Sequence, residues 1–138
     1  MPIPSLPAPS RRAAASGPPL VLIVDDNEDI LVICEQVLRR AGYRTATASS
    51  GQEALAQVGA LKPGLIILDL MMPGLDGFTT AREITSDPAT AGIPIAVLTA
   101  APASREEAAY RVGAQAFCTK PVDAARLTAL ARRLCPIA

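Results

Sequence analysis

The sequence is poor in aromatic residues and contains neither histidine nor tryptophan. Phenylalanine and tyrosine make up 3% of the 138 residues, whereas half of the residues are hydrophobic, so a core must be built from Leu, Ile, Val and Ala. The 13 basic residues balance the 13 acidic residues, and no long run of Lys and Arg occurs. We therefore expect neither nucleic acid nor a membrane surface as a partner, because the chain offers little attraction for polyanions.

Cysteine is scarce as well. Cys34, Cys118 and Cys135 form an odd set whose spacings match no zinc or redox motif. We expect them to be buried apolar residues in a reducing compartment, which favours a cytoplasmic protein.

No segment has the length and hydropathy of a membrane span. Prolines and the pair Arg11-Arg12 interrupt the apolar run that a signal peptide would need.

The first 19 residues differ in composition from the rest of the chain. Six of the 13 prolines lie there, among Ala, Ser and Gly. This composition predicts a flexible Pro/Ala-rich tail over residues 1–19. Residues 20–138 have the length of one domain, which is enough to bury a core without disulfide bonds.

From residue 20 onward, short apolar strands alternate with helical patterns. Strands are predicted at 20–24, 43–48, 65–68, 93–99 and 114–119. Helices are predicted over 30–41, from a capping box at 50–53 to about residue 59, and over 78–86, 104–112 and 123–134. Five strand-helix repeats are typical of an α/β domain with a doubly wound parallel sheet.

Polar side chains follow or close four of these strands. Asp25 and Asp26 follow the first strand, Asp69 follows the third, Thr99 closes the fourth, and Lys120 follows the fifth. The carboxyl ends of parallel strands lie at one edge of a sheet, so we expect these side chains to converge. Three neighbouring carboxylates require a cation, and Mg²⁺ prefers hard oxygen ligands. The set predicts a site for Mg²⁺ and a phosphoryl group.

Asp69 is the candidate nucleophile of this site. An Asp carboxylate can attack phosphorus and form an acyl phosphate. Asp69 stands alone after the most apolar strand, whereas Asp25 and Asp26 form a pair suited to binding metal. Phosphoryl transfer depends on positioning and charge neutralisation, which Mg²⁺, Lys120 and Thr99 would supply.

Four motifs resemble those of two-component response-regulator receiver domains, in particular the single-domain, chemotaxis-type receivers. They are Val-Asp-Asp-Asn-Glu at 24–28, Leu-Asp-Leu-Met-Met-Pro-Gly-Leu-Asp-Gly at 68–77, Leu-Thr-Ala at 98–100 and Lys-Pro at 120–121. The resemblance covers roughly residues 20–134. It implies a flavodoxin-like fold with five parallel strands in the order 2-1-3-4-5 and five helices.

The same resemblance implies a role for each site residue. Asp69 is the phosphoacceptor, and Asp25, Asp26, Asp69 and the Met71 carbonyl bind Mg²⁺. Thr99 and Lys120 contact the phosphoryl group.

The resemblance also implies a switch. Thr99 moves toward the phosphoryl group while Phe117 turns inward, and a cis bond between Lys120 and Pro121 aims the lysine into the site. Two departures bear on how the switch works. Pro102 narrows the conformations available to the loop after Thr99, which is the loop that moves in the switch. Neither Met71 nor Ala101, the side chains expected beside the phosphoryl group, can orient an attacking water, which favours slow self-dephosphorylation.

The function expected from these residues is that of a phosphoacceptor switch, not an enzyme, which assists its own phosphorylation and dephosphorylation. A histidine kinase or histidine phosphotransfer protein would phosphorylate it, because a chain without histidine cannot be the phosphohistidine donor. It would signal through protein-protein contacts, as a monomer or as a phosphorylation-dependent dimer.

Three alternatives remain open at this point. The chain could be a receiver excised from a larger hybrid kinase or regulator. It could be an aspartyl-phosphate phosphatase or phosphotransferase, although Met71 stands where the haloacid dehalogenase family has its second acid. It could also be an interaction module that works without phosphorylation, although all the expected site residues are present.

Overall fold

The computed structural model describes residues 17–137. The tail predicted for residues 1–19 lies outside the described residues except for its last three, so its flexibility stays a prediction. Within the described part, five strands and five α-helices alternate. They are β1 Leu20–Val24, α1 Glu28–Arg40, β2 Arg44–Ala48, α2 Gly51–Leu61, β3 Leu65–Leu68, α3 Gly77–Ser86, β4 Ile95–Thr99, α4 Glu106–Arg111, β5 Ala116–Thr119 and α5 Ala124–Leu134.

All five strands are parallel and lie in the order β2-β1-β3-β4-β5. The predicted α/β class, the flavodoxin-like strand order and the five helices are confirmed. Such an order places β1, β3 and β4 in the interior of the sheet and leaves β2 and β5 at its edges. The direction in which successive strands are added to the sheet reverses at β1. This switch point opens a crevice above the carboxyl ends of β1 and β3, where ligands bind in this class of fold.

Each face of the sheet is covered by its own group of helices. Side chains alternate along β1, so Val21 and Ile23 pack with α1 and α5, whereas Leu22 and Val24 pack on the opposite face with α2 and α3. All four residues of β3 are buried, which confirms the expectation for a strand covered on both sides. The rigid centre of the sheet thus carries the strand ends on which the candidate site is built.

Several predicted boundaries are wrong by a few residues. The second helix continues past residue 59 to Leu61 and ends at Lys62, which adopts a left-handed conformation before Pro63. The fourth strand begins at Ile95 instead of residue 93, after Pro94, which has no N–H to give to the strand ladder. The helix predicted at 104–112 is a 3-10 turn, Ala103–Arg105, followed by the short α4, because residues 112–115 turn at Gly113 toward β5.

All three cysteines are buried, as predicted. Cys34 has no exposed surface, and burial raises the pKa of its thiol to about 11, with the nearby Asp25 adding to the effect. Since the thiolate is the reactive form, we expect iodoacetamide at neutral pH to modify Cys34 only when the protein unfolds. Mass spectrometry of the folded protein, with a urea-denatured sample as the control, measures this. Rapid modification of Cys34 in the folded protein would contradict it.

Candidate functional site

Three carboxylates meet at the carboxyl ends of β1 and β3. One oxygen of each of Asp25, Asp26 and Asp69 lies within 4.8 Å of the others. Asp25 and Asp69 are 2% and 3% exposed, whereas Asp26 faces solvent. The convergence expected from the strand ends is therefore present, and the cluster is buried on one side and open on the other.

Strand register explains why two of these acids are neighbours. β1 and β3 pair in parallel up to Val24 and Leu68, and Asp25 and Asp69 are the residues that directly follow these two positions. The Asp69 amide donates to the Val24 carbonyl at 3.0 Å. The Asp25 amide likewise donates to the Ala48 carbonyl, so the backbone that carries both carboxylates is hydrogen-bonded to the sheet.

Lys120 reaches into the cluster from the end of β5. Its Nζ lies 2.7 Å from Asp25 Oδ2 and 3.3 Å from Asp69 Oδ2. The Lys120 amide donates to the Thr99 carbonyl, and the Lys120–Pro121 bond is cis, as the resemblance implies. An ammonium therefore sits between two buried carboxylates.

Burial and ion pairing act on these groups in different directions. Burial raises the pKa of Asp25, the hydrogen bond from Lys120 opposes this rise, and the charge of Asp69 adds to it. For Lys120, burial lowers the pKa, but contact with Asp25 and Asp69 prevails and holds the pKa above its usual value. Lys120 is therefore a fixed positive charge at neutral pH.

The loop after Asp69 turns back onto the same carboxylate. The Met71 amide donates to Asp69 Oδ1 at 3.1 Å, whereas the Met71 side chain is 60% exposed. Each oxygen of Asp69 thus has a donor, the Met71 amide on one side and Lys120 on the other. These two contacts hold the Asp69 carboxylate in one orientation, which suits a nucleophile.

Thr99 ends β4, the strand next to β3, and Phe117 lies within β5. Thr99 is fully buried, and its hydroxyl accepts a hydrogen bond from the Ala101 amide at 3.2 Å. Phe117 is half-buried and packs against a cluster that contains Val97 and Ala109. Among the contacts of the described residues, the Thr99 hydroxyl is engaged with its own loop and not with the carboxylates.

Two further residues shape this site, and neither was predicted from the sequence to do so. The backbone amide of Asn27 donates a hydrogen bond to Asp25 Oδ1 at 2.9 Å. The Asn27 side chain caps α1 by accepting hydrogen bonds from the backbone amides of Asp29 and Ile30. Gly77 begins α3 directly against the Asp69 backbone. Both residues lie within the motifs at 24–28 and 68–77, but Asn27 looks like a capping residue after two acids and Gly77 like an ordinary turn glycine.

The donor set is chemically suited to Mg²⁺. Carboxylates are hard oxygen ligands, and an octahedral ion at about 2.1 Å from each ligand holds oxygens roughly 3 to 4 Å apart. The cluster approaches this spacing, and the exposed side chain of Asp26 is able to adjust to it. The residues present therefore fit a Mg²⁺ ion.

Comparison with known proteins identifies the class. Residues 21–132 match the response regulator receiver domain family. The chain belongs to this family, whose members receive signals in two-component systems. It is similar to the response regulator PleD of Caulobacter vibrioides, with 39% identity over 115 residues that make up 83% of this chain and 25% of PleD. It is also similar to protein PilH of Pseudomonas aeruginosa, with 33% identity over 75% of this chain and 86% of PilH.

Solved structures of receiver proteins share the fold. Chemotaxis protein CheY4 of Vibrio cholerae superposes with a TM-score of 0.80 at 29% identity, covering 86% of this chain and 99% of CheY4. The receiver domain of sensor histidine kinase PA1611 of Pseudomonas aeruginosa has a TM-score of 0.78 at 28% identity, covering 86% of this chain and 98% of that domain. That structure has a magnesium ion coordinated in the active-site cleft.

Several curated relatives are longer than the matched region. The chain spans a quarter of PleD and 48% of the regulatory protein PhoP of Bacillus subtilis. The region that this chain matches is therefore only a part of those proteins. Within residues 17–137, no helix has the length and hydropathy needed to cross a membrane.

Proposed function

We propose that the protein is a phosphoacceptor switch in a two-component phosphorelay, with Asp69 as the phosphorylated residue. The observation that carries this proposal is the position of Asp69, buried at a strand end between Lys120 and the Met71 amide and beside Asp25. The phosphoryl donor is a histidine kinase or a histidine phosphotransfer protein. Such a donor fits a family of two-component receivers and a chain that contains no histidine.

The reaction transfers a phosphoryl group from nitrogen to oxygen. An Asp69 oxygen forms a bond to phosphorus while the bond between phosphorus and the histidine nitrogen of the donor breaks, and the electron pair stays on the imidazole. Lys120 lies 3.3 Å from Asp69 Oδ2, so its ammonium is placed to neutralise charge on the transferred oxygens. The Met71 amide holds the other Asp69 oxygen and fixes the direction of the carboxylate.

Asp25, Asp26, Asp69 and the Met71 carbonyl would hold Mg²⁺. When bound, the ion supplies positive charge that offsets the repulsion between these carboxylates and the incoming phosphoryl oxygens. Asp25 is already buried against Lys120, so its carboxylate would lose little further hydration on becoming a metal ligand.

Thr99 and Phe117 form the switch that reports phosphorylation. A phosphoryl group on Asp69 attracts the Thr99 hydroxyl, which then leaves the Ala101 amide and frees the loop that leads to α4. Phe117 packs on α4 and on β4, so its rotamer responds to this rearrangement. Phosphorylation biases the equilibrium between two arrangements, and the changed surface binds a protein partner in the cytoplasm.

Incorporation of phosphate from acetyl phosphate tests the proposal. We expect stoichiometric labelling that requires Mg²⁺, is prevented by EDTA and is reversed by hydroxylamine, which cleaves acyl phosphates. Continuous hydrolysis of p-nitrophenyl phosphate would instead support an aspartyl phosphatase. A wild-type protein that takes up no phosphoryl group from acetyl phosphate or from a phosphorylated kinase would contradict the proposal.

The phosphoryl group should be long-lived once formed. The side chains expected beside it, Met71 and Ala101, have no donor or acceptor with which to align an attacking water. We expect a lifetime well beyond seconds in purified protein, and a shorter one after Met71→Asn, which introduces an amide. Loss of label over time after removal of the donor measures both. Decay of the wild type within seconds would contradict this expectation.

A further inference from the structure

Gly77 lies in contact with the backbone that carries Asp69. A Cβ atom added to Gly77 would overlap the Asp69 carbonyl oxygen and would lie 2.5 Å from Leu70 Cα. Gly77 and Leu70 are both buried. The obstructing atoms belong to the main chain just beyond β3 and not to the end of a flexible side chain, so they cannot move aside without displacing Asp69.

A hydrogen bond joins the same two segments. The Gly77 amide donates to the Leu70 carbonyl at 3.1 Å, which closes the loop of residues 70–77 at its base. Within this loop, Met71 donates its amide to Asp69 Oδ1. Any shift of Leu70 therefore changes the direction from which the Met71 amide meets the carboxylate.

We propose that Gly77 is a positioning residue for Asp69 and Met71. Because Gly77 has no side chain, α3 begins in direct contact with the backbone at Asp69 and Leu70, and this contact fixes the Asp69 carboxylate and the Met71 peptide relative to each other. The contact itself is independent of what the site binds. Its consequences for Mg²⁺ and phosphoryl transfer rest on the proposed function.

Gly64 provides a matched control at the opposite end of β3. A Cβ atom added there would meet Cys135 Sγ at 2.8 Å, so Gly64→Ala also introduces a close contact into a packed region. Gly64 immediately precedes β3 at its amino end, whereas Asp69 follows its carboxyl end. A loss of stability alone should therefore be common to both variants, and an effect on the site should be confined to Gly77→Ala.

Amide NMR and Mg²⁺ titration of the wild type, Gly77→Ala and Gly64→Ala test the proposal. In Gly77→Ala we expect displaced Asp69 and Met71 amide signals, Mg²⁺ affinity weakened about tenfold or more, as is common for residues that support metal ligands, and slower labelling at saturating Mg²⁺. In Gly64→Ala these three properties should match the wild type. Unmoved Met71 signals and wild-type Mg²⁺ affinity in Gly77→Ala would overturn the proposal.

The two proposals fail in different ways. If the wild type binds no Mg²⁺ and takes up no phosphoryl group, the proposed function is lost, while the Met71 amide signal still decides whether Gly77 positions the loop. If Gly77→Ala does not fold, hydrogen exchange of the wild type decides instead. A Gly77 amide protected from exchange supports the closed loop base, and one that exchanges like an unprotected amide overturns it.

Discussion

Asp69→Asn should reduce phosphoryl incorporation to background. The amide of Asn has no nucleophilic oxygen of comparable strength, and loss of a catalytic nucleophile typically lowers rates by at least about a thousandfold. Its oxygen can still accept the hydrogen bond from the Met71 amide. The variant should therefore stay folded, and the loss of a negative charge beside Asp25 should bring the raised pKa of Asp25 closer to its usual value.

Asp76→Asn is the matched control for this experiment. Asp76 belongs to the same loop, is exposed and caps α3 by accepting the Thr79 amide at 2.8 Å. Asn caps helices about as well as Asp, so the fold should be retained. Labelling from acetyl phosphate should persist in Asp76→Asn and vanish in Asp69→Asn. Labelling that survives in Asp69→Asn would place the phosphoryl group on another residue.

Lys120→Met should destabilise the protein when Mg²⁺ is absent. Lys120 is the cation that contacts both Asp25 and Asp69, and Met retains much of its apolar stem. Removing one partner of a buried ion pair costs 3–5 kcal/mol in fully enclosed sites, and because this site is open on one side we expect a loss of about 2 kcal/mol. Urea unfolding followed by circular dichroism measures the change in the free energy of unfolding.

The loss in Lys120→Met should depend on pH in a defined direction. The hydrogen bond from Lys120 lowers the pKa of Asp25, so its removal raises the pKa of this buried carboxyl further above its unfolded value. In the range between the unfolded and folded pKa values the native state binds more protons, and its stability falls as pH rises. The difference from the wild type should therefore be smallest in acid and grow toward neutral pH.

Mg²⁺ should restore much of the stability of Lys120→Met. A ligand that binds only the native state stabilises it by mass action, and the carboxylates without Lys120 present an uncompensated negative charge to the cation. Lys62→Met is the control, since Lys62 is the other lysine of the chain and is exposed at the end of α2. An equal loss in Lys62→Met, or a loss in Lys120→Met that Mg²⁺ does not reduce, would contradict the role of Lys120 as the counter-ion.

Local pattern predicted the architecture because strands and helices differ in the period of their apolar residues. The continuous apolar run of β3 identified a strand buried on both faces, and the alternation with helices identified a parallel sheet. Parallel strands end at the same edge of a sheet, and this direction placed four strand-end residues at one edge: Asp25, Asp69, Thr99 and Lys120. The strand order came from the resemblance of motifs, since periodicity does not specify which strands are neighbours.

Other features were decided only by tertiary structure. Asp25 and Asp26 are adjacent in sequence, yet Asp25 is buried against Lys120 whereas Asp26 faces solvent. Lys120 Nζ lies closer to Asp25 than to Asp69, at 2.7 Å against 3.3 Å. This difference depends on where β5 ends relative to β1 and β3.

The sequence by itself determined the class of fold and the set of chemical groups at one edge of the sheet, because both follow from local propensity and strand direction. Tertiary structure alone decided the burial of each acid, the partner of each charge and the contact of Gly77 with Asp69. The physical reason is that these properties depend on strand register and on the packing of elements that are distant in sequence. A difference of a few tenths of an ångström in that packing changes which atoms meet, and the pattern of residue types does not encode such a difference locally.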